Sequence, residues 1–243
     1  MKKVSFGLCM LLLAALIVFA FSSPVQAASS GTCGEGVTWV LDDTGTLTIS
    51  GTGPMDDCYQ YTTGSGGNSV IARPWRQYSD QVKYAVIEEG VTYIGANAFL
   101  QDSNLKSVKI ADSVTKIGDF AFKECSSLTS ISFGSGLIKT GTDVFLRCTS
   151  LKNVVLPDCD VDYGNNLFTD CTSLTSVTIP VTQTVLGESM FSGCTSLSNI
   201  DIPNSVTKIK GSAFQGTGLK SVYIPESVTF IDQYAFRYCE NLK

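Results

Sequence analysis

Apolar side chains recur along this chain with one long, nearly constant period. Leu105, Leu128, Leu151, Leu174, Leu197, Leu219 and Leu242 follow one another at steps of 23 residues, apart from a step of 22 between Leu197 and Leu219. Around each leucine runs the template Leu-x-x-Val-x-Ile-Pro-x-x-Val-x-x-Ile-Gly-x-x-Ala-Phe-x-x-Cys. The unit from Leu105 shows it with Val108, Ile110, Val114, Ile117, Gly118, Ala121, Phe122 and Cys125, and a degenerate unit begins at Val82. The pattern predicts seven units over residues 82–243, each too small to bury its apolar face without its neighbours. The segment Leu-x-x-Val-x-Ile alternates inward and outward as a short strand does, and a proline or small residue closes it. The second apolar pair, followed by Gly and Ala-Phe, turns the chain back across the core. Phe99, Phe122, Phe145, Phe168, Phe191, Phe214 and Phe236 are therefore expected to stack as one ladder.

The pattern is different ahead of the repeats. From Gly36 to Gly51 two alternating segments flank Asp42-Asp43-Thr44-Gly45, which predicts a β-hairpin. Its place is that of a cap, because an open first unit exposes apolar surface and unpaired strand edges. Residues 52–70, with Thr-Thr-Gly-Ser-Gly-Gly-Asn-Ser, have loop composition, and Trp75 is expected as a core plug beneath the first unit. Residues 1–27 carry a basic start, an apolar middle and small residues at Val25 and Ala27. These are the parts of a secretory signal peptide, with no membrane span left after its cleavage. The expected domains are thus a signal peptide over 1–27, a cap and loop over 28–81, and repeats over 82–243, continuing beyond the chain end as in a fragment.

Composition narrows the chemistry. The chain has no histidine, which excludes a Ser-His-Asp triad, a Cys-His dyad and histidine-ligated metal or haem. Its net charge of -5 argues against a general nucleic-acid binder. Nine cysteines in an exported chain suggest disulfides, but Cys125, Cys148, Cys171, Cys194 and Cys239 share one template position, as small hydrophobes do. Asp102 and Thr217 fill that position in other units. Cys33 and Cys58 are left as the one candidate bridge. The alternating Asp158, Asp160 and Asp162 suggest a calcium loop, yet Tyr163 and Thr169 stand where such a loop wants Gly and Glu. No metal, no cofactor and no catalytic residue are expected.

The repeats resemble the 23-residue leucine-rich repeats of BspA-like bacterial surface proteins. "LKSVKIADSVTKIGDFAFKECSS" and "LKSVYIPESVTFIDQYAFRYCEN" carry the resemblance, and the segment from "GTCGEGVTWV" to "RPWRQY" is similar to the lead-in of such arrays. Thr140, Asp160, Gln183, Lys210 and Asp232 depart from the pattern. The resemblance implies a right-handed solenoid with short parallel strands on its concave face, and adhesion to host-matrix protein or another cell-surface macromolecule. The candidate ligand surface is the outward side of the strands: Lys83, Tyr84, Lys106, Lys109, Lys152, Asn153, Lys220 and Tyr223. The expected function is non-enzymatic adhesion by a secreted or cell-surface protein; the alternative is a targeting or scaffold segment of a larger secreted enzyme.

Overall fold

The computed structural model describes residues 27–63, 68–71 and 73–243, so the signal segment, including Cys9, lies outside the described residues up to Ala27. The chain opens with β1 (Ala27–Gly34), β2 (Val37–Asp42) and β3 (Thr46–Gly51), an antiparallel meander. The β2–β3 turn is shaped by Asp42, whose Oδ1 accepts from the backbone N–H groups of Thr44 and Thr46 at 2.9 and 2.8 Å. Gly45 supplies the left-handed residue there, with φ of 87°. The expected two-stranded cap therefore has a third strand, β1, along its outer edge.

After β4 (Gly53–Pro54), the segment read as loop instead forms a second hairpin. Its strands β5 (Gln60–Thr63) and β6 (Asn68–Ile71) pair antiparallel from Gln60 with Ile71 to Thr63 with Asn68. Tyr61, Val70 and Ile71 are good strand formers, and the Gly/Ser tract between them masked that preference.

From Tyr84 the chain winds as a parallel β-solenoid with two strand positions per turn. The first position contains β7 (Tyr84–Ile87), β9 (Ser107–Ile110), β11 (Ser130–Ser132), β13 (Asn153–Val155) and β14 (Ser176–Thr178). The second contains β8 (Val91–Ile94), β10 (Lys116–Ile117), β12 (Lys139–Thr140), β15 (Val185–Leu186), β16 (Lys208–Ile209) and β17 (Phe230–Ile231). The cap continues both sheets: β3 pairs in parallel with β7, and β4 with β8. It thus covers the first turn by extending the sheets.

The core is a set of columns, one residue type per turn. Leu105, Leu128, Leu151, Leu174, Leu197 and Leu219 are fully buried, as are Phe99 through Phe214 at the ladder position. The seven phenylalanine rings stack with centroids 5.0 to 5.9 Å apart, ending on the partly buried Phe236. Trp75 lies 5.3 Å from Phe99 and 6.2 Å from Trp39, so the indole plugs the start of the stack. Burying each ring contributes about 1.5 to 3 kcal/mol.

The turn that carries each phenylalanine is itself hydrogen-bonded to the next. Phe99 N–H donates to Ala121 O at 2.7 Å, and Phe122, Phe145, Phe168, Phe191 and Phe214 repeat the bond one turn further on. Two residues per turn adopt left-handed φ, for example Phe120 at 59° and Glu124 at 61°. This places otherwise ordinary side chains in a conformation disfavoured for L-residues, offset by a continuous ladder. The template glycine precedes this turn because the backbones touch: a Cβ on Gly118 would lie 2.5 Å from Ala96 N and 2.8 Å from its Cα.

The cysteine column consists of free thiols. Cys125, Cys148, Cys171 and Cys194 are buried, and each donates to the carbonyl of the phenylalanine 26 residues earlier at 3.0 to 3.2 Å. The column thereby joins neighbouring turns, and burial holds Cys171 at about 12. Cys33 and Cys58 are also buried free thiols.

Candidate functional site

All eight candidate residues are exposed, and the register sorts them into three columns along the first sheet. Lys106 N–H donates to Lys83 O, Thr129 N–H to Lys106 O and Thr175 N–H to Lys152 O, at 2.7 to 2.9 Å. Lys83 and Lys106 therefore share one column, and Lys152 and Lys220 hold the same repeat position beyond the break between β11 and β13, where Lys220 N–H donates to Ser198 O at 3.0 Å in a turn without a strand. Tyr84 aligns with Ser107 and Ser130, and Asn153 with Ser176, in the second column. Val86 aligns with Lys109 and Ser132, and Val155 with Thr178, in the third; Tyr223 holds the same repeat position in the seventh unit, where no strand forms.

The structure separates the two tyrosines. Tyr84 stands on the first turn and Tyr223 six turns later, about 29 Å along the axis at the usual strand spacing. They do not share one aromatic subsite. Between them the surface is small and polar, with Val155, 65% exposed, as its one large apolar side chain between Ser132 and Thr178. Near the far end, Asn199 to Ile202 and Ser221 to Tyr223 line a shallow groove of about 240 Å³.

A second surface feature was not anticipated from sequence. On the second sheet the ladder is interrupted between β12 and β15, where Asp162 makes only a single bridge to Lys139. A cleft of about 360 Å³ opens there, lined by Ile138, Asp160, Tyr163, Gln183, Lys208 and Lys210 among others. Its cause is the shifted template of the fourth full-length unit. Val161 is displaced by one residue, so Asp160 Oδ1 takes over the backbone N–H of Thr184 at 3.2 Å. The buried Gln183 amide accepts from Val161 N–H and donates to Val161 O and Val185 O, at 3.3, 3.1 and 2.9 Å. Buried Thr140 accepts from Gly164 N–H in the same way. These departures replace lost ladder bonds with side-chain bonds. Tyr163 Oη is buried without a partner, and burial raises its pKa far above the phenol range.

The aspartates of that unit are already engaged. Asp158 accepts from Thr182, Asp160 from Thr184, and Asp162 pairs with Lys139 at 2.9 Å. Among the described residues there is no cluster of three or more acidic, cysteine or histidine side chains placed to hold a metal.

The remaining polar centre is structural and joins the cap to the array. Asp102, at the cysteine position of the first turn, forms a buried ion pair with Arg73. Arg73 also donates to Leu100 O and Ser79 Oγ, each at 2.8 Å. Burial pushes the Asp102 carboxyl up to about 6, with the Arg73 charge opposing it.

Comparison with known proteins agrees with this geometry. The BspA-type leucine-rich-repeat family profile matches six copies over residues 76–163 and 143–243. No curated protein matches the chain. Among solved structures, a Treponema pallidum leucine-rich-repeat protein is 23% identical with a TM-score of 0.63, over 87% of this chain and 90% of that one. A leucine-rich-repeat protein from Eubacterium ventriosum is 24% identical with a TM-score of 0.48, over 88% of this chain and 71% of that one. A leucine-rich cell-surface protein from Faecalibacterium prausnitzii is 21% identical with a TM-score of 0.45, over 88% and 93%. The first of these similarities shows the solenoid fold, and the repeated profile, covering well over half of the residues, shows that the chain belongs to the BspA-type leucine-rich-repeat family.

Proposed function

We propose that this protein is a non-catalytic binding module, secreted or displayed on the bacterial surface, that adheres through the outward side of its first sheet. The observation that carries this reading is the face itself. Side chains from successive turns stand exposed and in register, and among the described residues none of Lys83, Lys106, Lys109, Lys152 or Lys220 forms an ion pair within the chain. A row about 30 Å long is large enough for a macromolecular partner. The basic, then apolar, then small-residue sequence of the first 27 residues supports export. Family membership supports partner binding through a repeat surface. The bound partner is an extracellular matrix protein or another cell-surface macromolecule, and binding needs no cofactor.

The test is a pull-down with the immobilised chain against extracellular matrix proteins and bacterial surface material, beside an unrelated acidic protein of similar size. Retention above that control is expected. Equal retention by both removes the reading.

A further inference from the structure

The charges of the repeats are sorted by side. From Val82 onward the chain has sixteen acidic residues, and only Asp201 stands at an outward position of the first strand, the second, third or fifth residue of a unit. Five lysines occupy those same positions: Lys83, Lys106, Lys109, Lys152 and Lys220. Elsewhere most basic groups are engaged, with Lys208 and Lys210 beside the second-sheet cleft and Lys243 at the end as exceptions. Lys123 pairs with Asp143, Lys139 with Asp162, and Arg147 with Glu124 and Asp170, while Arg237 lies over the rings of Tyr234 and Tyr238. A protein that is acidic as a whole thus presents a face with five lysines free of intrachain ion pairs and a single acid, whereas the lysines of the second sheet stand among Asp160 and Asp162.

We infer that this face binds a linear anionic polysaccharide, carboxylated or sulfated, laid along the solenoid axis; the inference rests on the adhesion reading above and names its ligand class. Three features favour a glycan over an acidic protein. The lysine column steps by one, two and three turns, about 5, 10 and 14 Å, which suits charges separated by sugar rings. The side chains between are Ser107, Ser130, Ser132, Asn153, Ser176 and Thr178, which both donate and accept hydrogen bonds as a sugar chain requires. The face also lacks the central aromatic or arginine cluster that anchors protein interfaces, since its two tyrosines stand at opposite ends.

The same geometry bounds the site. Asp42, Asp43 and Asp80 line one shallow pocket with Lys83, so the anionic chain runs from Lys106 toward Lys220 and avoids the cap. Asp201 is the one acid on its path.

Binding of the full chain to heparin, hyaluronan, neutral dextran and poly-L-glutamate, followed at several salt concentrations, tests this. Heparin or hyaluronan is bound and dextran is not; heparin alone identifies sulfate as the group read, and both identify negative charge in general. Each lysine contact contributes at most about 0.7 to the slope of log affinity against log salt, so K106Q/K109Q/K152Q flattens it by up to about 2. D201N tightens binding, and K208Q/K210Q on the second sheet leaves it unchanged. The inference fails if neither anionic glycan binds, if K208Q/K210Q weakens binding as much as the triple variant, or if poly-L-glutamate binds as tightly as the glycans. If no glycan binds but K106Q/K109Q/K152Q still loses surface material in the pull-down, the adhesion reading stands and only the ligand class falls.

Discussion

Replacing Asp102 with cysteine gives the first turn the residue that its neighbours carry, and the account expects this to be severely destabilising. The Asp102 side chain is 0% and the Arg73 side chain 5% exposed. In D102C the guanidinium keeps only Leu100 O and Ser79 Oγ, and its charge is left buried without a counter-ion. Breaking one side of such a pair costs about 3 to 5 kcal/mol, whereas replacing both partners by apolar groups of similar size is close to neutral. R73M/D102C is therefore expected to recover most of the loss. Denaturant titration followed by tryptophan fluorescence reads this directly, because Trp39 and Trp75 both pack where the cap meets the first turn. A D102C unfolding free energy within about 1 kcal/mol of the unmodified chain, or a double variant as unstable as the single one, would refute the reasoning.

Phe145, stacked between Phe122 and Phe168 at 5.3 and 5.4 Å, should cost about 3 to 5 kcal/mol when truncated to alanine, measured by the same titration. Gln183→Val restores the template residue yet strands the Val161 N–H and two carbonyls, so denaturation should show a loss of about 1 to 3 kcal/mol despite the better match. Thiol alkylation followed by mass mapping should modify half-buried Cys159 and Cys239 in the native chain, and buried Cys125, Cys148, Cys171 and Cys194 only after unfolding. Rapid native labelling of Cys148 would contradict the ladder packing.

The period of 23 residues made the solenoid legible, because each inward position repeats one residue type: Leu at Leu128 and Leu151, Phe at Phe122 and Phe145, Cys at Cys125 and Cys148. Trp75 was readable as a plug because it precedes the first turn with no repeat register of its own. What stayed hidden depends on partners distant in sequence. Asp102 reads as a mere substitute in the cysteine column until Arg73, 29 residues away, is folded beneath it. The second parallel sheet was obscured because strands such as Lys116–Ile117 and Lys208–Ile209 are two residues long, too short for alternation to register. The outward positions of the first sheet follow from strand alternation once the inward columns are known, and most are exposed, while Val86, Ser107 and Ser198 are half-buried. The cleft beside Asp160 had one visible signal, the clustering of template departures from Thr140 to Gln183, but its form depends on how Gln183 and Asp160 substitute for backbone bonds.

The most direct test of the central claim, that the first-sheet face is where this protein binds, is to block that face alone. Ser130→Trp/Ser176→Trp places two bulky rings on exposed positions of the face, while Glu188→Trp places one on the opposite, turn-bearing side. Retention of extracellular material by the three proteins is then compared at equal loading. The double variant is expected to lose binding and Glu188→Trp to keep it; binding that survives in the double variant and disappears in Glu188→Trp would place the binding surface elsewhere.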